Sequence, residues 1–284
     1  MKRFFDDCFL FVPDNDFPII CGRQKSDFNG NLRDFCSLSA RDVDFVKQNL
    51  ASFSKIPFIV GEKKPVFVIT GFYPSSNLCL AIVPDLPPDV LAALCNEFFF
   101  GQLNFSDSFS KIKPLQRIRP SVRKDFAYIA GFLTDISGYY SLLRSENTFS
   151  AARKSCEIFE MVSDFIGCEF DIDKHFPIGI TEGFDLSLVV AFALSTAMFV
   201  RRAIDDRKAK ISFDFRHGDL SIIVTANCKK QIQPFEFEPL RNYFTNNNYD
   251  FAIINQTGEL FVDFCPMRRD FARLGIKDDP TLKI

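Results

Sequence analysis

The longest apolar run in the chain, Leu186–Val200, is 15 residues long and is interrupted only by Ser187, Ser195 and Thr196. A bilayer crossing needs roughly 20 such residues, and a surface helix needs a polar outer face. The run therefore predicts a helix buried on all sides, ending at Arg201 and Arg202, inside a fold large enough to surround it. A chain of 284 residues can supply that fold. Its 47% hydrophobic and 25% charged residues are those of an ordinary globular protein.

Charge and cysteine usage exclude several classes of function. A net charge of −2 gives no electrostatic footprint for nucleic acid. The one basic run, "KIKPLQRIRPSVRK" over 111–124, carries two prolines and reads as a solvated linker. The nine cysteines form no CxxC pair, which argues against a structural zinc site, and most lie in apolar runs where a thiol acts as a small hydrophobe. The N-terminal "MKRFFDDCFLFVPDN" is not a signal peptide, so reduced thiols and a cytoplasmic location are expected. The 36 phenylalanines, with no tryptophan, predict a phenylalanine-packed core.

Along the chain, residues 1–105 predict a small α/β unit. Strands are expected at "CFLFV" and "FPII", with a helix over "ARDVDFVKQNLASF" capped by Ser39 or Ser37. A hairpin follows from "PVFVITGF" and "LCLAIVP", and then a helix opens on the prolines of "PPDVLAALCNEFF". This arrangement resembles a GAF- or PAS-like sensor module. Residues 106–120 read as a linker. Over 121–167, Val122, Phe126, Ile129, Leu133, Ile136, Tyr140 and Leu143 recur at alternating four- and three-residue spacing, a heptad seam. After "RSENT" a second amphipathic helix runs to about Ile166, so an antiparallel helical hairpin is expected. Its apolar stripe needs a cover, either the neighbouring domains or a second copy in a four-helix bundle. From 168 to 284 the order reads strand, buried helix, strand, turn, strand, helix, strand, strand. That order predicts an α+β fold closed by a two-layer sandwich.

The order and its sequences resemble the GHKL, or Bergerat, ATP-binding domain of histidine kinases. "LSTA" (194–197) falls where that family has Leu-Ser-Asn-Ala, and "IIVTANC" (222–228) where it has a strand ending in Asp-Asn-Gly. "TGELFVDF" (257–264) resembles its terminal hairpin, and "FAYIAGFLTDISGYYSLL" (126–143) its dimerisation and phosphoacceptor helix. In that register each chemical position is replaced. Ala127 stands at the phosphoacceptor histidine, Thr196 at the magnesium-orienting asparagine, and Ala226 at the adenine-binding aspartate. Phe192 and Val200 lie one turn either side of Thr196 where polar partners are expected, and Thr196 is expected to bond back to the carbonyl four residues earlier. No glycine occurs between Gly218 and Gly258, where a phosphate-binding lid needs them. The only histidines, His175 and His217, read as incidental loop residues.

The resemblance thus implies a vestigial nucleotide pocket at Thr196, Ala226 and Asn227, with no bound cofactor. It implies a catalytically silent regulatory or scaffold protein that dimerises through 121–167 and binds a protein partner. Two alternatives are a small-molecule sensor whose ligand sits in 1–105, and an ATPase or kinase using ATP and Mg²⁺ through Asn227, Asp219 or Lys229. Arg268, Arg269 and Arg273 predict a solvated amphipathic C-terminal helix.

Overall fold

The apolar run folds as one helix, Leu186–Ala203, with every residue from Leu186 to Val200 buried. The computed structural model describes residues 5–14, 16–22, 30–51, 58–61, 66–69, 78–98, 104–105, 118–139, 142–216, 219–229, 232, 234–256 and 258–267. The first elements are strands β1 (Phe5–Phe11) and β2 (Ile19–Gly22), and helices α1 (Leu32–Cys36) and α2 (Ala40–Ala51). Strands β3 (Phe58–Val60), β4 (Val66–Ile69) and β5 (Cys79–Pro84), helix α3 (Pro88–Phe98) and strand β6 (Asn104–Phe105) follow. Next come helix α4 (Pro120–Ser137), strand β7 (Leu142–Asn147), helix α5 (Thr148–Ile166) and strands β8 (Glu169–Ile172) and β9 (Ile180–Asp185). The long buried helix is α6. It leads to strands β10 (Lys208–Arg216) and β11 (Asp219–Asn227), a 3₁₀ turn at Pro234–Phe237 and helix α7 (Glu238–Asn246). Strands β12 (Tyr249–Gln256) and β13 (Glu259–Pro266) complete the described chain.

These elements make an α+β fold with two sheets of unlike character. The C-terminal sheet has the order β12-β13-β11-β10-β8, antiparallel except where β8 runs parallel to β10. Helices α5, α6 and α7 cover one face of it, giving the expected two-layer sandwich. Phe192 of α6 is the centre of that packing. It stacks on Phe264 of β13 at 4.3 Å and meets Phe159 of α5, Phe244 of α7 and Phe251 of β12 edge-on. The phenylalanine-rich composition therefore goes into interlocking ring contacts between layers.

The N-terminal sheet has the order β2-β1-β5-β4-β3-β6. Its strand β1 alternates between two cores: Cys8 and Leu10 enter one, Phe9 and Phe11 the other. Both faces of this sheet are thus covered, which explains why Cys8–Phe11 of β1 reads as an unbroken apolar run rather than an alternating one. Helix α2 begins as expected, with Ser39 Oγ accepting from the Asp42 amide and donating to its carboxylate.

One expectation is corrected. The "RSENT" segment is not an interhelical loop: Leu142–Asn147 is strand β7, paired antiparallel with β9 from Leu142↔Asp185 to Asn147↔Ile180. Helix α5 consequently belongs to the sandwich, and the hairpin predicted over 121–167 is divided between α4 and that layer. The heptad seam is filled from within the chain. Phe126, Ile129, Leu133 and Ile136 are all buried. Phe98 of α3 packs on Phe126 at 5.5 Å, and Phe165 of α5 stacks on Phe132 at 3.8 Å. A heptad repeat specifies an apolar stripe, but not whether the partner is a second copy or the same chain. Of the expected 106–120 linker, residues 106–117 lie outside the described residues.

The resulting core is continuous. Leu10 and Leu80 of the N-terminal sheet, Leu94 of α3, Phe126 of α4, Phe165 of α5 and Phe264 of β13 all belong to one buried cluster.

Candidate functional site

Asp185 fixes the start of α6. Its carboxylate accepts from the backbone N–H and the hydroxyl of Ser187, at 2.9 and 2.5 Å, satisfying donors that a helix start otherwise leaves unpaired. Beside it, the Asp185 amide donates to the Tyr249 hydroxyl at 2.6 Å, and the Thr181 hydroxyl donates to Asp219 at 3.3 Å. Burial raises the Tyr249 pKa far above the ordinary phenol range. This network ties β9, β11 and β12 to one end of α6. Serine, threonine and tyrosine are too common for sequence alone to have signalled it.

About three turns further along α6 lies Thr196, the position singled out by the sequence. Ser195, Thr196, Phe199 and Val200 face Val224 of β11, Phe251 of β12 and Leu260 and Val262 of β13, with Phe237 and Leu240 closing the end. The space enclosed between them is about 20 Å³, room for about one water molecule. Thr196 is 8% exposed. The expected back-bond is made by its neighbour: Ser195 Oγ donates to the Phe192 carbonyl at 2.9 Å, and among the described residues the Thr196 hydroxyl makes no hydrogen bond. Ala226 is buried on the same strand face as Val224 and pairs with Leu260, so the wall that the resemblance assigns to an aspartate is hydrocarbon.

Two contacts at this site had no sequence signal. Cys21 of β2 donates its thiol to the Ser195 carbonyl at 3.7 Å across 174 residues of chain, so the N-terminal sheet touches α6 beside Thr196. Burial pushes the Cys21 thiol up to about 11, against the nearby Arg202, which lowers it. On the other side, Phe237 packs on Phe199 at 5.0 Å, while Arg202 lies 5.6 Å over the Phe199 ring and 3.7 Å from the Glu236 carboxylate. Pro234–Phe237 is thereby held down on the cavity by an apolar ring and a largely buried cation.

The other candidates are scattered. Asn227 is exposed at the end of β11, paired with Glu259, and Lys229 just beyond it is also exposed. Asp219 is buried at the opposite end of the same nine-residue strand, about 27 Å away. His175 is exposed, with Nδ1 2.6 Å from Asp173. Hydrogen bonds from the His175 amide and ring hold the Asp173 carboxyl below its usual range. Ala127 lies half-buried on α4. His217, Arg268, Arg269 and Arg273 lie outside the described residues. Among the described residues no three of His, Cys, Asp and Glu converge into a metal-binding group.

Comparison with known proteins gives only distant likenesses. No protein-family model matches the chain, and no curated protein does. Among solved structures, the histidine kinase AdeS of Acinetobacter baumannii aligns at 11% identity and a TM-score of 0.34, over 63% of this chain and 93% of that one. The blue-light activated histidine kinase EL346 of Erythrobacter litoralis aligns at 10% identity and a TM-score of 0.31, over 92% and 94%. A histidine kinase of Burkholderia phymatum STM815 aligns at 7% identity and a TM-score of 0.34, over 53% and 87%. Scores this low fix neither activity nor site residues, and the fold stands on the sheet topology described above.

Proposed function

We propose that the chain is a catalytically silent, histidine-kinase-like regulatory or scaffold protein of the cytoplasm that works by binding a protein partner. One observation carries the reading. At the place the resemblance assigns to a nucleotide, the walls facing Ser195 and Thr196 are Val224, Phe251, Leu260 and Val262, and the space between them is about 20 Å³. Burying a phosphate or an adenine amino group there leaves its polar atoms without partners, at a cost of several kcal/mol each. The order of elements across 142–267, with a buried helix between a ribbon and a five-stranded sheet, supports the kinase-like frame.

The N-terminal unit is read as a GAF- or PAS-like module that has become a structural partner of the sandwich. Among the described residues its core is filled by Phe9, Phe11, Phe17 and Phe58, which speaks against a small-molecule sensor with a ligand at that place. Homodimerisation through 121–167 has to use the outward side of α4, where Tyr128 is half exposed, because the apolar seam is spent internally. The separation of Asp219 from Asn227 along β11 argues against a joint catalytic role for these two residues.

The test is incubation of the purified chain with radiolabelled Mg·ATP, following both phosphate release and label retained on the protein. The proposal expects neither above a blank. Turnover abolished by Asn227→Ala would establish the enzyme instead.

A further inference from the structure

The edge strands of a sheet present rows of backbone donors and acceptors that another strand can join. Three of the four edges in the two large sheets are short: β2 and β8 have four residues each and β6 has two. β8 is also guarded by charge, through the exposed Glu169 and Asp171. β12 differs. Its eight residues, YDFAIINQ, form the outer strand of the C-terminal sheet, and among the described residues no strand pairs with its far side. It carries no lysine, arginine or proline, and its one charge is Asp250. Its register with β13 runs from Tyr249↔Pro266 to Gln256↔Glu259 without a bulge. Shortness, lysine, proline and bulges are the devices that keep an edge from pairing, and β12 has none of them.

One bond fixes which backbone groups the edge offers. The Met267 amide donates to the Asn248 carbonyl at 2.8 Å, so the Tyr249 amide, antiparallel to that carbonyl in the same peptide plane, points away from β13. Alternation then aims the amides and carbonyls of Tyr249, Phe251 and Ile253 outward, while Asp250, Ala252 and Ile254 face β13. Pro266, which has no N–H, accordingly sits opposite Tyr249, where the ladder needs none. On the solvent side of this edge Ile254 is 48% exposed, with the half-buried Ala252 beside it.

We propose that a second copy of this chain adds there, β12 against β12, antiparallel about a two-fold axis at Ile253. Two five-stranded sheets then become one continuous sheet. The strand is self-complementary in that register. The outward row of each copy meets that of the other, and Ala252 of each lies opposite Ile254 of the other, covering the exposed side chain. The two Asp250 carboxylates fall toward opposite ends of the paired segment, about 20 Å apart, so like charges do not meet. This pairing does not depend on whether the cavity at Thr196 binds nucleotide.

Sedimentation of the full-length protein from about 1 to about 100 µM should show a reversible monomer–dimer equilibrium. Ile254→Lys should weaken it by about ten-fold or more with Tm unchanged, since the substituted side chain faces solvent. Hydrogen exchange of the unaltered protein gives a second readout. The Phe251 and Ile253 amides should slow as concentration rises, while those of Ala252 and Ile254 are slow throughout. A monomer at every concentration would overturn the proposal, as would a dimer that Tyr128→Asp dissolves and Ile254→Lys leaves intact. Phe251 and Ile253 amides already slow in the monomer would overturn it too, since the same chain would then cover its own edge.

Discussion

Phe192 illustrates what single residues do in this molecule. It lies one turn before Thr196, where a magnesium-binding site would want polar groups, and instead it joins α5, α6, α7, β12 and β13 through four ring contacts. Phe192→Ala should cost about 3–5 kcal/mol, the cost of removing a large ring from a packed core, measured as a lowered denaturation midpoint. A loss below about 1 kcal/mol would mean that the helix is not packed as described. At this scale the sequence was partly legible. The string "LSTA" drew attention to Thr196, and the structure places that residue at a small buried cavity. The Cys21–Ser195 contact and the Arg202–Glu236 pair were not, since each joins residues distant in sequence with no motif between them.

Helix α5 shows which elements can be read locally. Its start and stop carry chemical marks: Asn147 accepts from the Ser150 amide at 2.7 Å, and Gly167 closes the helix at φ +82, a conformation that costs a Cβ-bearing residue about 1 kcal/mol. Gly167→Ala should therefore destabilise the protein by about 1 kcal/mol without altering its fold, as read by chemical denaturation and far-UV circular dichroism. Stabilisation would contradict the left-handed cap. The strand before this helix was not legible. "LLRSEN" has no alternating pattern and carries the turn formers Ser145 and Asn147; its extended form comes from pairing with β9, some forty residues downstream. Tertiary context decides such a segment. The heptad seam of α4 was read correctly as apolar, but its partner is set by the whole molecule.

For the molecule as a whole, the consequential feature is that the N-terminal unit and the sandwich share one core. The chain divides by topology into two sheets, yet Leu10, Leu94, Phe126, Phe165 and Phe264 lie in a single buried cluster. Thermal unfolding followed by calorimetry should give one transition whose calorimetric and van't Hoff enthalpies agree. Two resolved transitions would show that the units are energetically separate. The same continuity places β2 against the helix that carries Thr196, through the Cys21 contact to the Ser195 carbonyl.

The most direct measurement is isothermal titration of the full-length protein with Mg·ATP. Walls mainly of valine, leucine and phenylalanine around a space of one water's size predict no saturable heat up to about 1 mM ligand, a binding free energy weaker than about −4 kcal/mol. A saturable isotherm in the micromolar range, lost in a bulky variant such as Ala226→Phe, would place a nucleotide beside α6 and contradict the account.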